Sequence, residues 1–298
     1  MDEKDKIHIV PWVLTDVLQS YVMERQLPKN LSKYVEEIRR DVLKLLKDLY
    51  DVCDGQLIIF HEGNKEIAAL CPSDSLKFAE SRNLEVIFLD KPGYWKECLW
   101  NAPFPFIMKG FNYLALCLYI EDVMKEYTTR GGDPRRLKDE ALRKVESLAN
   151  QVGEYEYSIE RRLEIGREEF WVRRIEEKIK DSKSDTNHIV AIVSPLHLSE
   201  KNTGLNKILG DLIAMYDKKF EELSKDEGDL KHFLDRLPEE FKRRTDRRSL
   251  ETLKKLREEG IMGRFDEMLE ERGYKCNVYI PFDLSDLLRE FLSKDFSQ

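Results

Sequence analysis

The sequence runs to 298 residues, 41% hydrophobic and 36% charged, with 58 acidic against 50 basic side chains and a formal charge of −8. That apolar share is enough to fill a core, which excludes disorder over most of the chain, and the length suits one large α/β domain. The acidic balance argues against a dedicated nucleic-acid binder, whose affinity must come from phosphate neutralisation.

The opening Met-Asp-Glu-Lys-Asp-Lys leads straight into a strand-like Ile7–Val10, without the basic segment and long apolar stretch of a leader, so a cytoplasmic protein is expected. Val35, Ile38, Val42, Leu45, Leu46 and Leu49 then recur at helical spacing, with Ser32 placed to cap the first turn. Leu57–Phe60 reads as a strand buried on both faces, Ile67–Leu70 as a small strand or a helix start. Ser73–Arg82 is a short helix and Val86–Leu89 the next strand, which together make a βαβ-type unit. From Tyr113 to about Ile179 the pattern is almost wholly helical, broken at Gly131-Gly132-Asp133-Pro134, where Pro takes a tolerated first-turn position. The longest apolar stretch, Phe104 to Ile120, is interrupted by Lys109 and Asn112 and falls short of the roughly 20 apolar residues that span a bilayer. No membrane partner is expected.

Ile189–Val193 is a further strand. The loop Ser194–Asn202 follows it, then a helix marked by Leu205, Ile208, Leu209, Leu212 and Tyr216. Charged helices come next, and the last crossover passes Leu253, Leu256, Phe265 and Leu269 to Gly273 before a final strand, Cys276–Ile280. Strands alternating with helices predict an α/β fold: a mostly parallel central sheet flanked by helices, one domain over 1–298, with an inserted helical region at about 105–185. Cys53, Cys71, Cys98, Cys117 and Cys276 form an odd, widely spaced set without Cys-x-x-Cys, read as reduced thiols in or near the core. Abundant Glu, Lys and Arg is the balance that high temperature favours, so a thermophilic source is expected.

Phosphate loops, dinucleotide fingerprints, His-Glu-x-x-His and Gly-x-Ser-x-Gly are all missing, and no nucleotide cofactor is expected. What remains is a set of polar residues just after the strands, where open α/β sheets present ligands. His61 and Glu62 follow Phe60, Asp90 follows Leu89, and His197 lies in the loop after Val193. A carboxylate and an imidazole converging there can bind a divalent metal, which acidifies a water and polarises a carbonyl. Mixed oxygen and nitrogen ligands suit Mn²⁺, Fe²⁺ or Zn²⁺. The plainer alternative is a carboxylate that caps a helix and a loop His that bonds a carbonyl. Arg167 sits on a helix with Phe170, Trp171 and Ile175, where its fork of donors can hold an anion or simply face solvent. His8 reads as a structural His within a strand. The basic run Lys242–Arg248, interleaved with acids, reads as a solvated helix surface. Trp95 and Trp100, with Tyr94, Phe104 and Phe106, form an aromatic patch that suits a pocket wall, an oligomer contact or packing under a loop.

Read in order, Leu57 to Gly63, Val86 to Pro92, Arg167 to Trp171 and Ile189 to His197 resemble the superfamily of TraB/PrgY, the TIKI metalloproteases, ChaN and the erythromycin esterases. In that group an early strand ends in Gly-x-x-His, a later strand supplies Glu, a helix supplies Arg, and a late strand ends in a second Gly-x-x-His. Met268 to Tyr274 and the strand after it also resemble the group's ending. Glu62, Arg167 and His197 stand at the family's Glu, Arg and second His. Ser194 replaces the late Gly, and Leu14 stands where the first His is expected. The resemblance implies a metal-dependent hydrolase of amide or ester bonds, acting on a small molecule or peptide. Glu62 and His197 would hold Mn, Zn or Co or activate water, and Arg167 would steady the oxyanion or an acidic substrate group. Leu14 favours the alternative, a non-catalytic ligand- or protein-binding member of a degenerate enzyme fold. A third reading, nucleic-acid contact through Arg135, Arg136 and the Lys242–Arg248 face, would require steeply salt-dependent binding.

Overall fold

The computed structural model describes residues 6–11, 29–53, 56–63, 65, 73–101, 103–181, 188–225 and 228–280. Five strands, β1 (Lys6–Pro11), β2 (Leu57–His61), β3 (Glu85–Phe88), β4 (His188–Val193) and β5 (Lys275–Val278), make one sheet in the order β3-β2-β4-β1-β5. Every pairing is parallel, with Ile9 opposite Ala191, Ile58 opposite Ile189 and Ile59 opposite Val86. The fold is therefore α/β, as the alternation of elements predicts, and all five expected strands are present. The continuous apolar runs of β2 and β4 follow from burial on both faces.

The helices are α1 (Lys29–Val52), α2 (Asp74–Ser81), α3 (Tyr94–Asn101), α4 (Pro103–Arg130), α5 (Pro134–Glu164), α6 (Arg167–Asp181), α7 (Glu200–Thr203), α8 (Leu205–Ser224), α9 (Leu230–Asp235), α10 (Leu237–Glu258) and α11 (Phe265–Glu271). Ser32 is not the cap of α1, which starts three residues earlier. Ser73 does cap α2, its hydroxyl accepting from the Leu76 amide at 3.3 Å. The helical stretch has a second break, at Gly166, whose φ of 73° is a left-handed conformation that glycine adopts without strain. Ile67–Leu70, Cys71 and Leu14 lie outside the described residues. Cys53 is buried, and Cys117 and Cys276 are outside any disulfide.

The chain divides into two compact units. The first, 1–95 with 164–205 and 260–298, holds the sheet. On one sheet face Ile7, Ile9, Ile58, Phe60, Ile189 and Ala191 pack with Trp171, Val172 and Ile175 of α6 and with Phe265 and Leu269 of α11. The apolar stripe of α6 reads at 3.6-residue spacing for that reason. On the other face Val10, Ile59, Val190 and Ile192 are buried too, and His61 reaches Ser73 and Ser75 at the start of α2.

The second unit, 96–163 with 206–259, is helical throughout its described residues, so the inserted helical region draws on two stretches of chain. Leu116, Val145, Leu148, Phe233, Leu237 and Phe241 belong to its core. At Gly153 a Cβ would lie 2.8 Å from the Cβ of Arg248, so α5 and α10 meet closely there and the position needs glycine. The basic run on α10 is not a solvated surface. Arg244 is 6% exposed, and Arg244, Arg247 and Arg248 pair with Asp217, Glu146 and Glu251. Among the described residues no helix is long and apolar enough to cross a membrane.

Phe60 is fully buried at the centre of the sheet. Phe60→Ala should lower the unfolding free energy by about 3–5 kcal/mol. Urea titration checks this, and a loss below about 1 kcal/mol would contradict the packing described.

Candidate functional site

The strand order places the site. The connection leaving β2 runs outward to β3, while β4 is followed by β5 on the far side of β1. Adjacent strands whose connections part in this way leave a crevice at their carboxyl ends, the usual ligand position in open α/β sheets. Glu62 directly follows β2, Asp90 comes two residues after β3, and His197 ends the 3₁₀ turn Pro195–His197 after β4. All three are buried.

Backbone pairing continues past the strands and fixes these groups. The Glu62 amide donates to Ile192 O at 2.8 Å, and the Gly63 amide to Asp90 Oδ2 at 3.1 Å. Ser194 caps its own turn through the Leu196 amide, and its backbone amide donates to Glu62 Oε2 at 2.5 Å. Beyond His197, Ser199 is tied to fully buried Asp266 through its amide and its hydroxyl. The His197 loop is held at both ends.

Arg167 joins the pieces. Its Nε donates to Asp90 Oδ1 at 2.8 Å, Nη2 to Asp90 Oδ2 and Glu62 Oε1 at 3.0 Å each, and Nη1 to Glu164 Oε1 at 3.0 Å. Nη1 also lies 3.1 Å from His197 Nε2. The guanidinium stacks between Tyr94 and Trp171, 4.3 and 4.5 Å from the ring centroids. Tyr94 OH donates to Glu164 Oε1, and Trp171 Nε1 to Asp90 Oδ1. His197 donates from Nδ1 to Glu168 Oε1 at 2.9 Å, and its ring meets Trp171 edge-on. Glu168 is itself fixed by the amides of Gly263 and Arg264.

Four carboxylates therefore surround one guanidinium and one imidazole. Burial by itself disfavours every charge here, and the pairings decide the outcome. For Glu62, burial would raise the pKa, but Arg167 and His197 outweigh it and hold the carboxyl at about 2. For His197, burial opposes protonation, but Glu62, Glu168 and Glu164 win and raise it to about 10. Burial pushes Asp90 upward against the pull of Arg167. The acidic shell thus keeps Glu62 a carboxylate and favours positive charge on the His197 ring, whose Nε2 lies 3.1 Å from Arg167 Nη1.

Glu62, Arg167 and His197, singled out in the sequence, come together, and Asp90 joins them. His61 does not: its Nδ1 donates to the Glu62 carbonyl and its Nε2 accepts from Ser73 and Ser75. His8 lies within β1, its Nδ1 2.9 Å from Tyr279 OH. Glu164 and Glu168 went unmarked in the sequence, while Tyr94 was marked only as part of the aromatic patch. A signal for two of them was present, because the stripe of Trp171, Val172 and Ile175 continues backward through Glu168, Arg167 and Glu164 at helical spacing. Charges on a stripe that is apolar further along mark a buried polar cluster.

The donor set among the described residues does not fit a divalent metal. A ligating imidazole needs a free nitrogen lone pair, and here both ring nitrogens are engaged, Nδ1 with Glu168 at 2.9 Å and Nε2 with Arg167 Nη1 at 3.1 Å. The Arg167 guanidinium takes the place among Glu62, Asp90 and Glu164 that a cation would fill. No group of three or more His, Cys, Asp or Glu among the described residues is arranged to hold one. The N–H groups of Arg167 are engaged inside the protein, with Asp90, Glu62, Glu164 and His197. Comparison with protein-family models, with curated proteins and with solved structures gives no match.

Two measurements test this electrostatic picture. Arg167→Met strands buried carboxylates and should cost about 3–5 kcal/mol of stability. The raised pKa of His197 makes its stabilisation complete below pH 6.5 and lost as pH climbs to about 10. The gap in unfolding temperature between wild type and His197→Gln should therefore be widest below pH 6.5 and close toward pH 10, whereas a pH-independent gap would show a neutral imidazole.

Proposed function

We propose that the chain is a hydrolase of ester or amide bonds, related in design to the TraB, TIKI and erythromycin-esterase group. The observation that carries this reading is the convergence of Glu62, Arg167 and His197, from three separate elements, on the crevice between β2 and β4. In this reading Glu62 orients the attacking water and takes its proton, and His197, held as the imidazolium, donates a proton to the leaving group. Water then adds across the scissile bond to release an acid and an alcohol or amine. Arg167 positions both partners. No step passes through a metal.

A specific observation favours the second reading, a non-catalytic binding protein on a degenerate enzyme fold. Arg167 is fully engaged by its neighbours, and both Glu62 oxygens accept internal hydrogen bonds. Leu14 stands at the family's first His position.

Turnover of a panel of activated esters and peptide amides separates the two. The hydrolase reading expects Glu62→Gln and His197→Gln each to lower kcat/KM by about 100-fold or more, while Phe60→Leu, chosen for a comparable fall in unfolding temperature, keeps turnover. Activity should decline as pH approaches 10, where His197 loses its proton. Added Mn²⁺, Zn²⁺ or Co²⁺ should leave the unfolding temperature unchanged, and a rise abolished by both site variants would restore a metal to the site. No turnover across the panel leaves the binding reading.

A further inference from the structure

Helix α4 is apolar on two sides. Toward its own unit it buries Leu116 and Val123, and the Asn112 side chain donates to Leu148 O. On the other side Phe104, Ile107, Phe111, Leu114 and Leu118 are exposed, and Trp100 precedes them at the end of α3. Their spacing is four, three, four, three, four. That is the 3.5-residue repeat of a seam packed against another helix, and it differs from the wider stripe of a helix lying on a core.

The size of this face argues for what covers it. Exposure along the seam runs from 39% at Phe104 to 77% at Trp100. Taking about 150–250 Å² for a large side chain, these six residues present on the order of 700 Å². The largest apolar patch on a monomer is about 300–600 Å², and each side of a standard stable interface buries about 800 Å². Gly110 is an independent observation. Glycine inside a helix costs about 1 kcal/mol relative to Ala, yet a Cβ there would meet nothing within 4 Å in its own chain. It lies beside Phe111 and Ile107, where an approaching helix would use the room. The six seam positions carry no charge, so nothing on them calls for a charged partner, and an apolar repeat of this kind is complementary to itself.

We infer that the Trp100–Leu118 face of α3 and α4 is an interface between two copies of this chain, packed helix against helix. A two-fold pair makes each residue both knob and hole, so one sequence satisfies both sides. This inference is independent of the hydrolase reading.

Light scattering on size-exclusion chromatography of the full chain tests it. Wild type should elute at about twice the 35.3 kDa chain mass across micromolar concentrations. Phe111→Glu with Leu114→Glu, which sets like charges across the two-fold, should give a monomer with unchanged far-ultraviolet circular dichroism. Phe111→Leu with Leu114→Ile should keep the dimer. If the double glutamate variant fails to fold, Leu118→Glu at the end of the seam supplies the monomer test. A monomeric wild type overturns the inference, as does a dimer that survives the glutamates. A monomer that co-sediments with phosphatidylcholine–phosphatidylglycerol vesicles overturns it in favour of a lipid surface.

Discussion

Burying a guanidinium costs several kcal/mol unless its charge and its donors are all met, and the sheet unit is arranged around meeting that demand for Arg167. Its partners arrive from the end of β2, from the loop after β3 and from the turn preceding α6. Each contributes a carboxylate at the end of an element, oriented by the Ser194 amide at Glu62, the Gly63 amide at Asp90 and the Tyr94 hydroxyl at Glu164. The same demand explains the aromatic walls. Tyr94 and Trp171 cover the flat faces of the guanidinium, which hydrogen bonds in its plane leave unsatisfied, and each also donates to a carboxylate of the shell.

The excess of acid over Arg167 sets the state of His197. An imidazole at the end of a loop ordinarily titrates near neutrality. Here it is locked between Glu168 and the Glu62–Glu164 side of the shell, and it behaves as a second cation of the cluster. A ring held this firmly by its neighbours has no nitrogen left over for a metal. The same firmness makes Glu62 and His197 part of the fold. Removing either therefore perturbs stability and chemistry together.

The helical unit follows a different economy. Its inner ion pairs, with Arg244 stacked on Phe220 and paired to Asp217 and Glu146, need no ligand to explain them. The outer face of α4 does need an explanation. A helix with apolar residues on every side is stable in water only when both sides are covered, and its own unit covers one.

Much of the fold was legible in the sequence because burial writes itself in periodicity. Five β-branched runs and the spacing of apolar residues specified the strands, most helices and the parallel α/β class, and Glu62, Asp90 and His197 were visible because strand ends are where such sheets carry chemistry. Arg167 was visible as a charge on the helix that carries Phe170, Trp171 and Ile175. The first misreadings have local causes: α1 begins before Ser32 because a capping residue is only one of several ways to start a helix, and Arg244 is buried because alternating charges look alike whether they face water or one another. What the sequence determined was which residues must be buried and which chain ends meet the crevice. Tertiary structure alone decided the charges. Whether His197 is a metal ligand or a cation, and whether Arg167 grips a substrate or its own protein, depends on four carboxylates brought together from distant positions, and a Coulomb interaction depends on separation in space, which linear spacing does not encode.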